Sequence, residues 1–417
     1  MHNLIESLFI HGWRGFIISR RNALLALAAL ILFQRCSTST EQADPYADWI
    51  PVANRYARSF QIMQKGDDRL LICFGAGGRT DTAGIYLVGE DALNGIQPLP
   101  QLREVVVAST TQLPFFSALE KDHLIRGVVH AGDLFDRSIA ARVAEGSIRD
   151  VGTAEGLDQE QIHAIKPQAI FDHPFGRNLR GGSTVPVINV TEYLEEHPLG
   201  RAEWLKFFGV LFRDEERADR LFDRIEERYR TAAAASAQFL DTPVVFFASS
   251  WQGQWFAPPA NSYMARLITD AGAAYALADH QAEGNITLDL ESVLHKVRRS
   301  DHFGMILSTR DSITALTLAA GEPRLARIPA VNMGGFHGNT ALTDLFGQAI
   351  LEPDIVLSDL MKIFHPADTG TVEFRYFKPL QPVTNATDRP RAPGIVDRSP
   401  ADDAAHARRS SSRSRVH

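Results

Sequence analysis

The chain has 417 residues, 45% of them hydrophobic and 22% charged, with a formal net charge of -7. This length is enough for two ordinary domains with cores of their own. The acidic balance excludes the basic domain or stripe of a nucleic-acid binder, since the one dense basic cluster, Arg408, Arg409, Arg413 and Arg415, lies in a terminal tail.

Near the N-terminus, Arg20 and Arg21 precede an apolar run from Ala23 to Phe33, and Cys36 then opens a polar Ser-Thr segment. A charged flank followed by a short apolar core describes an export signal over residues 1–36. The alternative is a buried or interfacial helix of a cytosolic protein. Cys36 is placed where a lipid anchor is attached, although Phe33-Gln34-Arg35 departs from the small residues usual before such a cysteine. Ser19-Arg20-Arg21 also loosely resembles a twin-arginine signal. After the first forty residues no apolar stretch is long enough to cross a bilayer. Cys73, the second of two cysteines, sits in Leu70–Phe74 and reads as a small core residue, so neither a disulfide framework nor a cysteine metal site can be built.

Residues 37–100 read as a linker followed by a strand-rich extension, with Leu70–Phe74 and Gly84–Val88 as strands. From 101 to 199 short β-branched runs alternate with helical patterns. Glu104–Ala108, Gly127–His130, Ala169–Phe171 and Val185–Val190 are expected strands, with Ser117–Lys121 and Gln159–Ile165 on helices between them. That alternation indicates a parallel α/β lobe. Residues 200–240 read as spine helices. Gly200–Phe212 is interrupted near Arg213, and Asp214 is placed to cap a second stretch whose Ala218, Leu221, Phe222, Ile225 and Tyr229 form one stripe. A second α/β lobe is expected over 241–382, with strands at Pro243–Ala248, Gly304–Leu307 and Ile328–Asn332 and helices at Thr340–Leu351 and Asp354–Phe364. Residues 383–417, rich in Pro, Arg, Ser and Asp, read as a disordered tail.

Catalytic signatures are weak. Gly75-Ala76-Gly77-Gly78 lacks the Lys-Ser/Thr of a phosphate loop, Ser109 and Ser249-Ser250 lack nucleophile-elbow glycines, and the fourteen histidines form no compact metal motif. No enzyme activity and no cofactor are therefore expected. Polar and aromatic residues instead gather after strands, where open α/β sheets bind ligands. Thr110 and Thr111 follow one strand, His130 the next, and His173 and Arg177 a third. Trp251, Trp255 and Phe256 follow the first strand of the second lobe, and His337 follows another. These nine are the candidate ligand-binding residues.

Several segments resemble the iron-complex type of ABC transporter substrate-binding protein. They are Tyr193–Trp204, Val105–Thr111, Ile148–Gly152, Leu157–Pro167, Asn261–Met264 and Leu288–Val293, within roughly residues 100 to 380. The resemblance implies two α/β lobes bridged by a single long helix, with a ligand cleft between them. It further implies ABC permease and ATPase partners, and a metal-chelate ligand such as a ferric siderophore, with cobalamin or haem as alternatives. For those two, Tyr263 or a cleft histidine would ligate the metal. Glu160 and Glu291 match the pair of surface glutamates through which such proteins dock on permease arginines. With the signal and Cys36, the expected location is the periplasm or cell envelope, on a lipid anchor. An envelope metal-dependent enzyme on a similar scaffold is the reading from another class.

Overall fold

The computed structural model describes residues 46–153, 156–174, 185–251, 253–306, 322–339, 343–366 and 373–380. The export segment with Cys36, the loop with Arg177 and the tail 383–417 lie outside them. The chain divides into two units, Met1–Trp49 and Ile50–His417. In the first, residues 46–48 form a turn in which Trp49 N donates to Tyr46 O at 2.8 Å. The remaining described residues belong to the second unit.

The extension folds as an antiparallel meander of β1 (Ile50–Val52), β2 (Phe60–Lys65), β3 (Asp68–Gly75) and β4 (Gly78–Val88). Cys73 is fully buried there, 3.2 Å from the Thr191 hydroxyl, and burial pushes its thiol up to about 12, so it is an inert core residue.

The N-terminal lobe is a five-stranded parallel sheet in the order β7-β6-β5-β8-β9. Its strands are β5 (Val105–Val107), β6 (Ile125–Val128), β7 (Arg149–Asp150), β8 (Ala169–Asp172) and β9 (Val187–Asn189), interleaved with α1 (Leu113–Ala118), α2 (Arg137–Ala144) and α3 (Gln159–Ile165). All four expected strands and the helix at 159–165 are present. The helix expected to include Ser117–Lys121 instead ends at Ala118, because Glu120 takes a left-handed φ of 58° that a helix cannot continue.

Two helices connect the lobes: α4 (Pro198–Leu211) and α5 (Glu215–Ala235). Arg213, at φ 56°, breaks the chain between them. Helix α4 is buried on nearly every side, with Trp204, Phe207 and Phe208 fully enclosed; each such side chain contributes about 1.5–3 kcal/mol. Helix α5 is amphipathic and buries Ala218, Phe222, Ile225 and Tyr229. Around its start lie ion pairs to the N-terminal side, Lys121 Nζ to Asp214 at 2.8 Å and Arg69 to Glu215 at 3.2 Å. Its last turns face the other way: Arg228 pairs with Asp354 at 2.9 Å, and the Tyr229 hydroxyl donates to Asp270 at 2.7 Å. Asp214 occupies the capping position, but its carboxylate serves Lys121 instead of the helix amides.

The C-terminal lobe contains β10 (Val244–Phe247), β11 (Ser249–Trp251), β12 (Gln254–Ala257), α6 (Tyr263–Asp270), β13 (Ala274–Tyr275), β14 (Ile286–Leu288), α7 (Leu290–Val297), β15 (His302–Met305), α8 (Pro329–Asn332), β16 (Phe336–Asn339), α9 (Pro353–Phe364) and β17 (Phe377–Pro379). The main sheet runs β13-β10-β15-β16-β17, with β17 antiparallel, and β11-β12-β14 form a small antiparallel sheet beside it. Two expectations fail here. Ile328–Asn332 is a helical turn begun by Pro329, whose fixed φ and missing N–H suit a first helical position, and the strand is the following Phe336–Asn339. In place of a helix at Thr340–Leu351, the described part is a turn around Asp344 and a 3-10 turn at Gln348–Ile350. Asp344 takes the Gly347 and Gln348 amides, satisfying locally the backbone that a helix would have used.

Both lobes use buried carboxylates to hold a returning segment. Glu203 on α4 accepts the amides of Arg55, Tyr56 and Ala57 at 2.7–3.1 Å, and Glu195 accepts those of Arg58 and Ser59. In the C-terminal lobe, Asp359 on α9 accepts the amides of Arg375, Tyr376 and Phe377 at 2.6–3.2 Å. A buried carboxylate needs such donors to offset its lost hydration.

Candidate functional site

A cavity of about 750 Å³ opens between the two lobes; that volume suits a small-molecule ligand. Its N-terminal wall is made by the segments after β5 and β6. Thr110 lies in the 3-10 turn after β5, and His130 follows β6 in a left-handed conformation with φ 51° that throws the chain into the next turn. Phe135 and Asp136 follow, and Asp136 caps α2 by accepting the amides of Ser138 at 2.8 Å and Ile139 at 3.0 Å. The C-terminal wall carries Asp344, Phe346, Arg375 and Tyr376. Burial pushes the Asp344 carboxyl up, against its two amide donors, and the charge of Asp136 on the other lobe pushes it further. Arg375 pairs with Glu352 at 3.0 Å.

Of the nine sequence candidates, Thr110 and His130 line this cavity. Thr111 gives its hydroxyl to the buried Glu192 at 2.6 Å, and His173 holds Asp172 at 3.1 Å; neither lines the cavity. Arg177 lies outside the described residues. Two candidates are corrected. His337 is fully buried inside β16, ringed by Phe247, His302 and Phe364, where burial drives its imidazole down to about 3. It is a core residue that no cleft ligand reaches. Trp255 is 6% exposed and packs on Phe303, because alternation along β12 turns Trp255 and Ala257 inward and Phe256 outward. Trp251, at the end of the β11–β12 hairpin, is 64% exposed and, like Phe256, is not among the residues lining the cavity.

Sequence reasoning missed Phe135, Asp136, Asp344 and Phe346. The signal for the first two was present: an aromatic residue in a polar loop, directly before a helix-capping Asp. The other two fall in a segment read as helix, which hid their place on a wall.

Glu160 and Glu291 share one local geometry in the two lobes. Each is exposed and follows an aspartate cap by two positions: Asp158 caps α3 and Asp289 caps α7. In the first turn of a helix a carboxylate is favoured by the helix dipole. Glu291 additionally pairs with Arg324 at 2.5 Å. Among the described residues, no group of His, Cys, Asp and Glu is arranged to hold a metal ion, and no helix is long and apolar enough to cross a membrane.

The sequence model of the family described as periplasmic binding protein matches residues 105–334, which spans β5 through the turn before β16. An uncharacterized lipoprotein of Methanocaldococcus jannaschii is 27% identical over 280 residues, covering 64% of this chain and 66% of the relative. An uncharacterized protein of the same organism is 23% identical over 244 residues, 56% of this chain and 72% of that one. Among solved structures, a periplasmic heme binding protein from Pseudomonas aeruginosa superposes with a TM-score of 0.55 at 17% identity, over 68% of this chain and 99% of that one. The siderophore binding protein BauB, bound to two molecules of acinetobactin and ferric iron, superposes with a TM-score of 0.51 at 18% identity, over 68% and 96%. These structural likenesses show a shared fold. With the family's model matched over more than half of its length, the chain belongs to the periplasmic binding protein family.

Proposed function

We propose that the protein is the substrate-binding component of an ABC importer in the cell envelope, and that it carries a metal chelate of the ferric siderophore type in the cleft between its lobes. The observation that carries this reading is the 750 Å³ cavity walled by both lobes, with one aromatic side chain from each, Phe135 and Phe346, exposed to it. Family membership and the siderophore and haem ligands named for two structural neighbours support it. Aromatic side chains provide large apolar contact at low entropic cost, and the polar residues between them set orientation. No chemistry is required of the protein: it binds, and the ligand's preference for one lobe arrangement biases the form that docks.

Haem is the second reading, favoured by the same two exposed rings, which offer apolar contact to a flat macrocycle. In either case Glu160 and Glu291 dock on the permease, residues 1–36 direct export, and Cys36 carries the lipid; the lipoprotein named among the relatives supports the anchor.

Titrating the intrinsic tryptophan fluorescence of the full-length chain with ferric trishydroxamate, ferric triscatecholate, haem and cyanocobalamin tests the reading. Saturable quenching by one of them at sub-micromolar concentration is expected, and no saturable response to any would overturn it. In proteoliposomes with the cognate permease, Glu160→Ala with Glu291→Ala should cut uptake about tenfold or more while ligand affinity stays unchanged. Loss of ligand affinity would remove the docking assignment.

A further inference from the structure

Among the described residues, the walls of the cleft carry more carboxylates than guanidiniums. Asp133, Asp136 and Asp344 line the cavity together with two guanidiniums, Arg137 and Arg375. Arg375 is already engaged by Glu352 at 3.0 Å and lies over the ring of Tyr376 at 5.4 Å. Backbone amides that would otherwise receive an anion are filled from within the chain. Asp136 takes two of the donors at the head of α2, Ser138 N and Ile139 N. Asp344 takes Gly347 N at 2.8 Å and Gln348 N at 3.0 Å. The first turn of α2 and the 343–348 turn thus offer carboxylate oxygens to the cleft where an anion site would offer N–H groups. Asp136 and Asp344 line the same cavity from different lobes.

The same walls carry Phe135, 43% exposed, and Phe346, 50% exposed. Large apolar side chains left open inside a concave site mark contact with an apolar surface.

We infer that the cleft selects a ligand with a broad apolar face and a cationic or neutral hydrogen-bond-donating group placed between Asp136 and Asp344, and that it rejects polyanionic chelates. This rests on the cleft being the ligand site, and it goes further by fixing the charge class of the ligand. A ferric triscatecholate, with three negative charges, would set like charges against three carboxylates, with Arg137 the guanidinium beside Asp136 to offset them. A trishydroxamate with a pendant ammonium would place its cation where the two lobes converge their negative charge. A cation held in this way would also draw the lobes together, coupling ligand charge to the closed arrangement.

The test uses the full-length protein and two probes with one chelating core: ferric desferrioxamine B, which bears a free ammonium, and its N-succinyl derivative, which bears a carboxylate in its place. Calorimetric titration should show the ammonium form binding at least about tenfold tighter, about 1.4 kcal/mol. In the Asp136→Asn, Asp344→Asn double variant the gap should close to within about threefold, through weakening of the ammonium form. Asparagine keeps the cap of α2 and one acceptor at each site, so the variant should fold. As a measurement that needs no variant, raising the salt concentration should narrow the gap in the wild type. Equal binding of the two probes, tighter binding of the succinyl form, or a gap that survives in the double variant overturns the inference. If neither trishydroxamate binds and ferric triscatecholate does, the charge class is overturned while the chelate-carrier reading stands. If no ferric chelate, haem or cobalamin binds, both fall together.

Discussion

In the N-terminal lobe the central strands are β5, Val-Val-Val, and β8, Ala-Ile-Phe-Asp, and the residues that meet across them are apolar. In the C-terminal lobe the sheet threads His302, Gly304, His337 and Asn339 through the equivalent layer. Gly304 is required there, because a Cβ on it would lie 2.1 Å from the Phe247 ring and 2.6 Å from His337 Nε2. His337 Nε2 and His302 Nδ1 are buried without a hydrogen-bond partner among the described residues. Two sheets of similar size thus depend on different physics. The first is held by apolar burial, which depends little on pH. The second holds imidazoles that must stay neutral to remain inside.

Carboxylate staples are what the lobes share, and removing them should have the largest effect. Glu203→Ala would leave three amides of the 55–57 segment without their acceptor, and Asp359→Ala would do the same at 375–377. Each should cost about 3–5 kcal/mol of unfolding free energy, measured by denaturant titration. A cost below about 1 kcal/mol for either would show that these segments are held by apolar contacts instead.

A mid-sized effect separates the lobes by pH. His337 has a folded value of about 3 against an ordinary 6.5, with burial as the first cause and the neighbouring His302 as the second. Because the folded value is depressed, the unfolded chain binds the proton more readily. Stability is therefore full above pH 6.5 and is lost as pH falls towards 3. At pH 5 the loss is about 2 kcal/mol. His302 is shifted in the same direction by burial, while Asp359, raised by burial, acts in the opposite sense. The difference between wild type and His337→Leu isolates the one group: thermal midpoints followed from pH 7 to pH 5 should fall more in the wild type. Parallel slopes would mean that the histidine is not the acid-labile point of this lobe.

The smallest effect concerns the outer surface, where the lobes differ again. Glu291 is paired with Arg324, and both side chains are about half exposed or more. Arg324→Ala should change stability by less than about 1 kcal/mol. If Glu291 serves docking, the variant should raise the affinity for a permease arginine patch, as a competing cation is removed. A stability loss well beyond that limit would make Arg324 a structural residue.

This contrast also explains which parts of the fold could be read from sequence. Val105–Val107 and Ala169–Asp172 announce themselves as buried parallel strands, as does the cap-and-stripe pattern of α5. Phe336-His337-Gly338-Asn339 does not, since a strand carrying His, Gly and Asn resembles a loop, whereas Ile328–Asn332 looks like a strand until Pro329 starts a helical turn. The candidate site was legible where a strand end fixes it, at Thr110 and His130. It was not legible at Asp344 and Phe346, whose place depends on a turn closed by one carboxylate, nor for Trp255 and His337, whose aromatic character marks core as readily as cleft.

The most direct test of the central claim, that both lobes grip one ligand, is calorimetric titration of Phe135→Ala and of Phe346→Ala with the tightest ligand found for the wild type. Each ring lines the same cavity from its own lobe, so each variant alone should weaken binding by about tenfold or more. Unchanged affinity in both variants would contradict the claim and place the ligand elsewhere on the molecule.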